Sequence, residues 1–169
     1  MKFKEIAPES WEESAFRLIG KDWLLLLTGE KEHPNLMTAS WGGFGNLWNC
    51  PVVYLWVRPE RYTYGLLQRE PTFSINILPE QYREVYRFCG TISGRDTDKI
   101  SRTGLTLCAA GGAPYLAESR MVMQCCLCYR QPMQAEGYLR PDLLESLRSG
   151  GSLHTLFIAE ITGVLQKTE

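Results

Sequence analysis

The chain has few histidines, no surplus of either charge, and no long apolar run, and each shortage removes a class of function. His33 and His154 are the only two histidines. Neither falls in a Ser/His/Asp or His/Glu arrangement that the spacing supports, so hydrolytic catalysis has no basis here. Eighteen Lys and Arg against nineteen Asp and Glu leave a formal net charge of −1. That balance gives no global field for nucleic acid or an anionic membrane surface, so a bound anion must be held by a local cluster. No apolar stretch approaches the roughly 20 residues a membrane helix needs. No Gly-x-Gly-x-x-Gly follows a strand-like run, which excludes a Rossmann site for a tightly held dinucleotide.

What is present fits one domain. A chain of 169 residues that is 44% hydrophobic is long enough for one well-buried core and too short for two ordinary ones. Residues 1–169 are therefore read as a single domain, with 1–20 an N-terminal arm or short helix. The opening Met1-Lys2-Phe3-Lys4-Glu5-Ile6 is mixed and charged, unlike a signal peptide. The six cysteines are accordingly expected as thiols in a reducing, cytoplasmic compartment.

Periodicity predicts many short strands. Trp23 to Leu27 is an apolar run that suits a strand buried on both faces. After a polar turn from Glu30 to His33, Pro34 leads into a second strand through Ala39. Val52 to Val57 is β-branched and aromatic between Pro51 and Pro59, and Thr72 to Leu78 alternates apolar and polar side chains. Met121–Tyr129, Met133–Tyr138 and Thr155–Leu165 read as further β segments, the first two joined by Arg130-Gln131-Pro132. Helices are predicted over Pro79–Phe88 and Pro141–Arg148, the latter stopped by Gly150-Gly151. The fold class is mainly β with α insertions, a barrel.

Cys125, Cys126 and Cys128 share one predicted strand, with Cys126 and Cys128 on one face and Cys125 on the other. No second Cys or His pair with metal spacing accompanies them, so buried thiols are expected and no metal. Cys50 and Cys89 are the better candidates for reactivity.

Three polar runs offer chemistry. In Asn35-Leu36-Met37-Thr38-Ala39-Ser40-Trp41-Gly42-Gly43, Thr38 and Ser40 fall on one face of a strand end. Ala39 allows close backbone approach, and Trp41 supplies an aromatic plane as the strand ends. In Arg58-Pro59-Glu60-Arg61-Tyr62-Thr63, two guanidiniums cluster at a strand exit, suited to a phosphate by paired charged hydrogen bonds; the plainer reading is a solvated turn. In Cys89-Gly90-Thr91-Ile92-Ser93-Gly94-Arg95-Asp96-Thr97-Asp98-Lys99, a hydroxyl and a flexible backbone could form an anion nest. Asp96 and Asp98 could cap a helix carrying Lys99 in its first turn.

In this order the three runs resemble the flavin reductase-like family, FMN-binding split β-barrels of Greek-key type, over roughly Asn35 to Leu165. The resemblance implies FMN contacts from Asn35, Met37, Thr38, Ala39, Ser40 and Trp41. It implies further contacts from Arg58, Tyr62 and Thr63, from Asn76, and from Cys89, Gly90, Ser93, Gly94 and Lys99. His154 falls in His-Thr-Leu-Phe-Ile-Ala-Glu-Ile, which is similar to the family's His-containing strand near the flavin; Ala159 stands where the family often has Gly. The implied catalytic residue is His154.

The implied activity is an oxidoreductase that takes a hydride from NADH or NADPH and passes electrons to free flavin, a metal complex or a protein. The implied assembly is a homodimer with a shared flavin groove, in keeping with five Trp and eight Tyr. A flavoredoxin-type electron carrier and a flavin-binding sensor or storage module are the alternatives. No dedicated 2′-phosphate pocket is recognisable, so NADH and NADPH remain open.

Overall fold

The computed structural model describes residues 2–29, 33–109 and 112–168; most of the expected turn before Pro34 lies outside them. The frame is one eight-stranded antiparallel sheet in the order β3-β2-β6-β9-β10-β5-β4, with β1 added along β10. In chain order these are β1 (Lys2–Ile6), β2 (Leu24–Thr28), β3 (Asn35–Ala39), β4 (Gly42–Leu47), β5 (Cys50–Val57) and β6 (Thr72–Ile77). The short strands β7 (Leu107–Cys108) and β8 (Tyr115–Leu116) pair separately, and β9 (Met121–Pro132) and β10 (Thr155–Thr168) complete the set. The helices are α1 (Ala15–Arg17), α2 (Tyr62–Arg69), α3 (Arg83–Thr91), α4 (Lys99–Thr103) and α5 (Pro141–Ser149).

Strand alternation sorts the core into two layers. Leu24 and Leu26 of β2 face inward with Met37, Leu55, Phe73, Ile75, Met123 and Phe157, contributed by six strands, so the sheet curls around them. Leu25 and Leu27 face outward and pack with Leu36, Tyr86, Cys89 and Leu116 beneath α3. The expected strand buried on both faces is β2, and α3 is the cover over its second face. The sheet, by register, turns its own bends: β10 shifts against β9 between Ile158 and Ala159 and between Ile161 and Gly163, the irregularities that let a long strand serve several neighbours.

Several expectations need correction. Met133–Tyr138 is not a strand: β9 continues through Arg130-Gln131-Pro132, paired with Phe157, Leu156 and Thr155, and ends where β10 has no residue left to pair. A 3₁₀ turn follows at Ala135–Gly137. The N-terminal segment opens with β1, which its uneven apolar spacing conceals. As expected, β3 ends before Trp41-Gly42-Gly43, but Gly42 at once begins a further strand, β4. Glycines suit that edge because the Tyr54 ring lies within 3.7 Å of where Cβ atoms on Gly43 and Gly45 would stand. The turn after Pro59 is present, closed by Arg61 N donating to Arg58 O at 3.0 Å, but it leads directly into α2, which the sequence did not announce; Thr63, Leu66 and Leu67 bury one stripe of that helix despite aromatic residues and a glycine that lower helix propensity.

Candidate functional site

The ends of β3 and β5, the last turns of α3 and the start of β10 meet in a groove of about 470 Å³. Met37, Thr38, Ala39, Ser40, Trp41, Arg58, Gly90 and His154 all line it, as do Trp23, Trp56, Arg61, Tyr86 and Arg87. A second pocket of about 250 Å³ adjoins it through Met37, Arg61 and Thr91. Asn35, Tyr62, Thr63, Ser93, Gly94 and Lys99 surround this pocket. Asn76 and Cys89 line neither. The Asn76 side chain donates to Ser74 Oγ at 2.9 Å and accepts from Leu116 N at 2.8 Å and Ser119 Oγ at 3.1 Å, so its polar atoms are spent bracing β6 against β8. Cys89 is a buried thiol whose pKa burial pushes up to about 11; it is not a reactive thiolate at neutral pH.

The inner pocket gathers three cations, Arg61, Arg95 and Lys99, against one carboxylate, Glu60. Lys99 is 4% exposed, and its ammonium donates to Leu36 O at 2.7 Å and Cys89 O at 2.9 Å. Arg61 donates to Gly90 O at 2.8 Å. Both cations thereby cap the last carbonyls of α3, where the helix dipole is negative. Burial lowers both pKa values, for Lys99 helped by the Arg61 charge. Among the described residues neither cation has a carboxylate within ion-pair distance. Asp98 caps α4 as expected, accepting from Ile100 N at 3.0 Å and Ser101 N at 3.2 Å, and so places Lys99 in the first turn.

Gly94 acts differently from the expectation. It does not take positive φ, unlike Gly29, Gly104 and Gly151, and Ser93 Oγ accepts from Arg95 N within a turn. The glycine is required by space: a Cβ would stand 1.9 Å from Asn35 Oδ1. Asn35 donates to Thr63 Oγ1 at 2.8 Å, while its buried Oδ1 has no donor among the described residues.

The outer groove is aromatic. Trp41, half exposed, stacks at 4.7 Å on the His154 ring. Desolvation, then the Arg58 charge, hold the His154 pKa below its ordinary value, against a smaller opposing pull from Glu60. Thr38 donates to Tyr86 O at 2.6 Å, fixing β3 to α3. Arg58 is turned away from a phosphate role, since it donates to Ser152 O at 3.1 Å and Leu147 O at 3.2 Å. It holds the segment between β9 and β10 beside the groove. Alternation along β5 sets Trp56 opposite Leu55 and Val57, a cue to its outward position, whereas no local signal marks Trp23, Tyr86 or Arg87.

A curled antiparallel sheet bearing an aromatic groove that runs into a cation-lined pocket is the architecture of the split barrels. The flavin reductase like domain model matches residues 17–169, and the chain belongs to that family. Flavoredoxin of Desulfovibrio vulgaris (Miyazaki F) superposes with a TM-score of 0.68 at 25% identity, covering 86% of this chain and 69% of that one. The FMN-binding domain of a flavin reductase-like enzyme from Shewanella baltica OS155 gives 0.70 at 18%, covering 98% and 77%. The NADH:FAD oxidoreductase SgcE6 of Streptomyces globisporus C-1027, solved with NAD and FAD fragments, gives 0.62 at 18%, covering 86% and 74%. No curated protein matches the chain in sequence.

Proposed function

We propose that the protein binds one FMN per subunit and acts as an NAD(P)H-dependent flavin reductase that passes electrons to free flavin, a metal complex or a protein. The observation that carries this reading is the pair of cations, buried Lys99 and half-buried Arg61, without a carboxylate within ion-pair distance among the described residues. The end of α3 offers about half a negative charge against two full positive ones, so the pocket is complementary to a phosphate dianion. Asn35 Oδ1 lies buried against Gly94 without a donor among the described residues, and the groove, lined by Thr38, Ala39, Trp41 and Trp56, offers the small and aromatic side chains that suit a planar ring system. Thr63, Tyr62 and Ser93 line the pocket beside the cations. The residues present therefore fit FMN.

When bound, FMN supplies the redox chemistry, accepting a hydride from a nicotinamide and returning electrons to an acceptor. The chain's own share is binding and orientation. Lys99 and Arg61 would hold the anionic end, the backbone from Thr38 to Trp41 would meet the ring, and neutral His154 would offer a hydrogen bond to a nicotinamide amide. The test is a fluorescence-quenching titration. FMN is expected to bind at least tenfold more tightly than riboflavin, and equal affinities would remove the phosphate from this pocket. The 25% identity to a flavoredoxin favours a carrier as the second reading; anaerobic reduction by NADH or NADPH with turnover separates the two.

The exposed apolar side chains Phe16 (93%), Leu139 (94%) and Trp48 (58%), none of which lines the groove, leave apolar surface for a homodimer to cover. Sedimentation velocity of FMN-loaded protein at micromolar concentration is expected to give a dimer, and a monomer with FMN fully bound would contradict the shared groove. A reducing, cytoplasmic setting, with all six cysteines as thiols, completes the reading.

A further inference from the structure

Trp23 forms part of the groove wall with φ 70° and ψ 160°, a strained region that bulky L-residues avoid. One side chain keeps it there. Arg83 donates to Lys21 O at 2.7 Å and to Asp22 O at 3.0 Å, the two carbonyls preceding Trp23, while its guanidinium lies 3.6 Å from the centre of the indole ring. Beyond this stack lies another cleft, of about 440 Å³, which shares Tyr86 with the groove. The cleft is lined by Arg17, Lys21, Arg83 and Arg120, with Asp22 and Glu80 as its acidic members.

The charges at this rim are not balanced. Arg17 pairs with Asp22, and Arg120 with Glu13 from the N-terminal segment. Among the described residues Lys21 and Arg83 make no ion pair. Arg87, one helical turn after Arg83 and on the same face of α3, carries the charge to the groove itself; its exposed partner is Glu84. Like charges at this spacing destabilise a helix, so the arrangement suits an anionic ligand. A cationic cleft joined to the groove by an aromatic–guanidinium shelf matches an elongated molecule with a nicotinamide at one end and a phosphorylated adenosine at the other.

We infer that Trp23, Arg83, Arg87 and Lys21 form the seat for the adenosine end of the nicotinamide co-substrate, with the cations holding its 2′-phosphate, so that NADPH is preferred to NADH. The inference rests on the flavin reductase reading. Lys21, Arg83 and Arg87 are brought together by the turn before β2 and by α3, so no contiguous motif announces them.

The test uses FMN-loaded protein and calorimetric titration with 2′,5′-ADP and 5′-AMP, followed by NADP⁺ and NAD⁺. The 2′-phosphorylated member of each pair is expected to bind at least tenfold more tightly, a charged hydrogen bond being worth about 1.5–3 kcal/mol. The advantage should shrink as salt rises from about 0.01 to 0.15 M, as the Debye length falls. Arg87→Glu, at an exposed position, should abolish most of it with the fold intact by circular dichroism. Arg83→Gln tests the shelf itself and should lower the affinity for both adenosine fragments together. Equal binding of the two fragments by the native protein, or an unaltered preference in Arg87→Glu, overturns the inference. Failure to load FMN would instead count against the flavin reading, and the fragment titrations on the unloaded protein still decide the inference, because Lys21 and Arg83 lie outside the flavin groove.

Discussion

At the inner end of the site every cation is tied to backbone, with Lys99 and Arg61 reaching Leu36 O, Cys89 O and Gly90 O. At the outer end Trp41 stands half exposed, and the neighbouring segment 133–153 carries a helix, α5, with no buried residue. That segment is held beside the groove by Arg58 and by Glu60, whose carboxylate accepts from Ser152 N at 2.8 Å. The first region is built before a ligand arrives, and the second is cheap to move. A tightly held cofactor needs the former, and a transient co-substrate needs the latter, because preorganisation lowers the cost of binding while low local stability permits entry and exit.

The largest effect is expected at Lys99. Lys99→Ala removes the donor for two buried carbonyls, each costing about 1–3 kcal/mol if left unsatisfied, and frees the end of α3. The melting temperature should fall, and FMN affinity should drop by roughly ten- to over a hundredfold. A variant with native melting temperature and unchanged FMN dissociation constant at low salt would show the inner region to be as dispensable as the outer one.

Gly94→Ala should come next. Its Cβ would overlap Asn35 Oδ1, and overpacking of this kind costs about 1–3 kcal/mol. Since Asn35 must move, the loss should appear in FMN affinity as well as stability. Adding Asn35→Ala to Gly94→Ala should recover stability but not affinity, because the double variant relieves the overlap without restoring the amide. Equal recovery of both would mean that Asn35 matters only as an obstacle.

The same contrast explains what the sequence could reveal. The strand β2 was legible because its leucines serve two layers at once, and β5 because β-branched and aromatic residues sit between prolines. Asp98 announced its helix, since capping is local chemistry. The roles of Lys99, Arg58 and Asn76 were not legible, because each is set by carbonyls and hydroxyls far away in the chain: Leu36 for Lys99, Leu147 and Ser152 for Arg58, and Leu116 and Ser119 for Asn76. Residue type named the candidates in the three runs, and only the fold distinguished lining from bracing. Trp23 and Arg83 had no local signal, as a strained turn and a helix face sixty residues on meet only in the folded chain.

The smallest effect is expected at His154, in the outer region. Its folded pKa lies below the ordinary value of 6.5, so between the two the unfolded chain binds more protons and stability rises with pH. Acidification from about pH 7 through 6.5 should therefore lower the melting temperature of the native protein. His154→Gln should be flatter in that interval. Glu13, Glu60 and Asp98, whose pKa values are lowered, add stability that is lost only as pH falls further, through the carboxylate range. A depressed pKa also means that imidazole, and not imidazolium, faces the groove at neutral pH, which suits a hydrogen bond to a nicotinamide amide better than delivery of a proton. Stopped-flow reduction by NADPH at saturating FMN separates the two roles. His154→Ala is expected to slow reduction about tenfold, equivalent to ~1.4 kcal/mol of barrier, while His154→Gln retains most of the rate because its amide can still hydrogen-bond. Equal losses in both variants would favour proton delivery, and a loss well under tenfold in His154→Ala would leave His154 as a support for Trp41 alone.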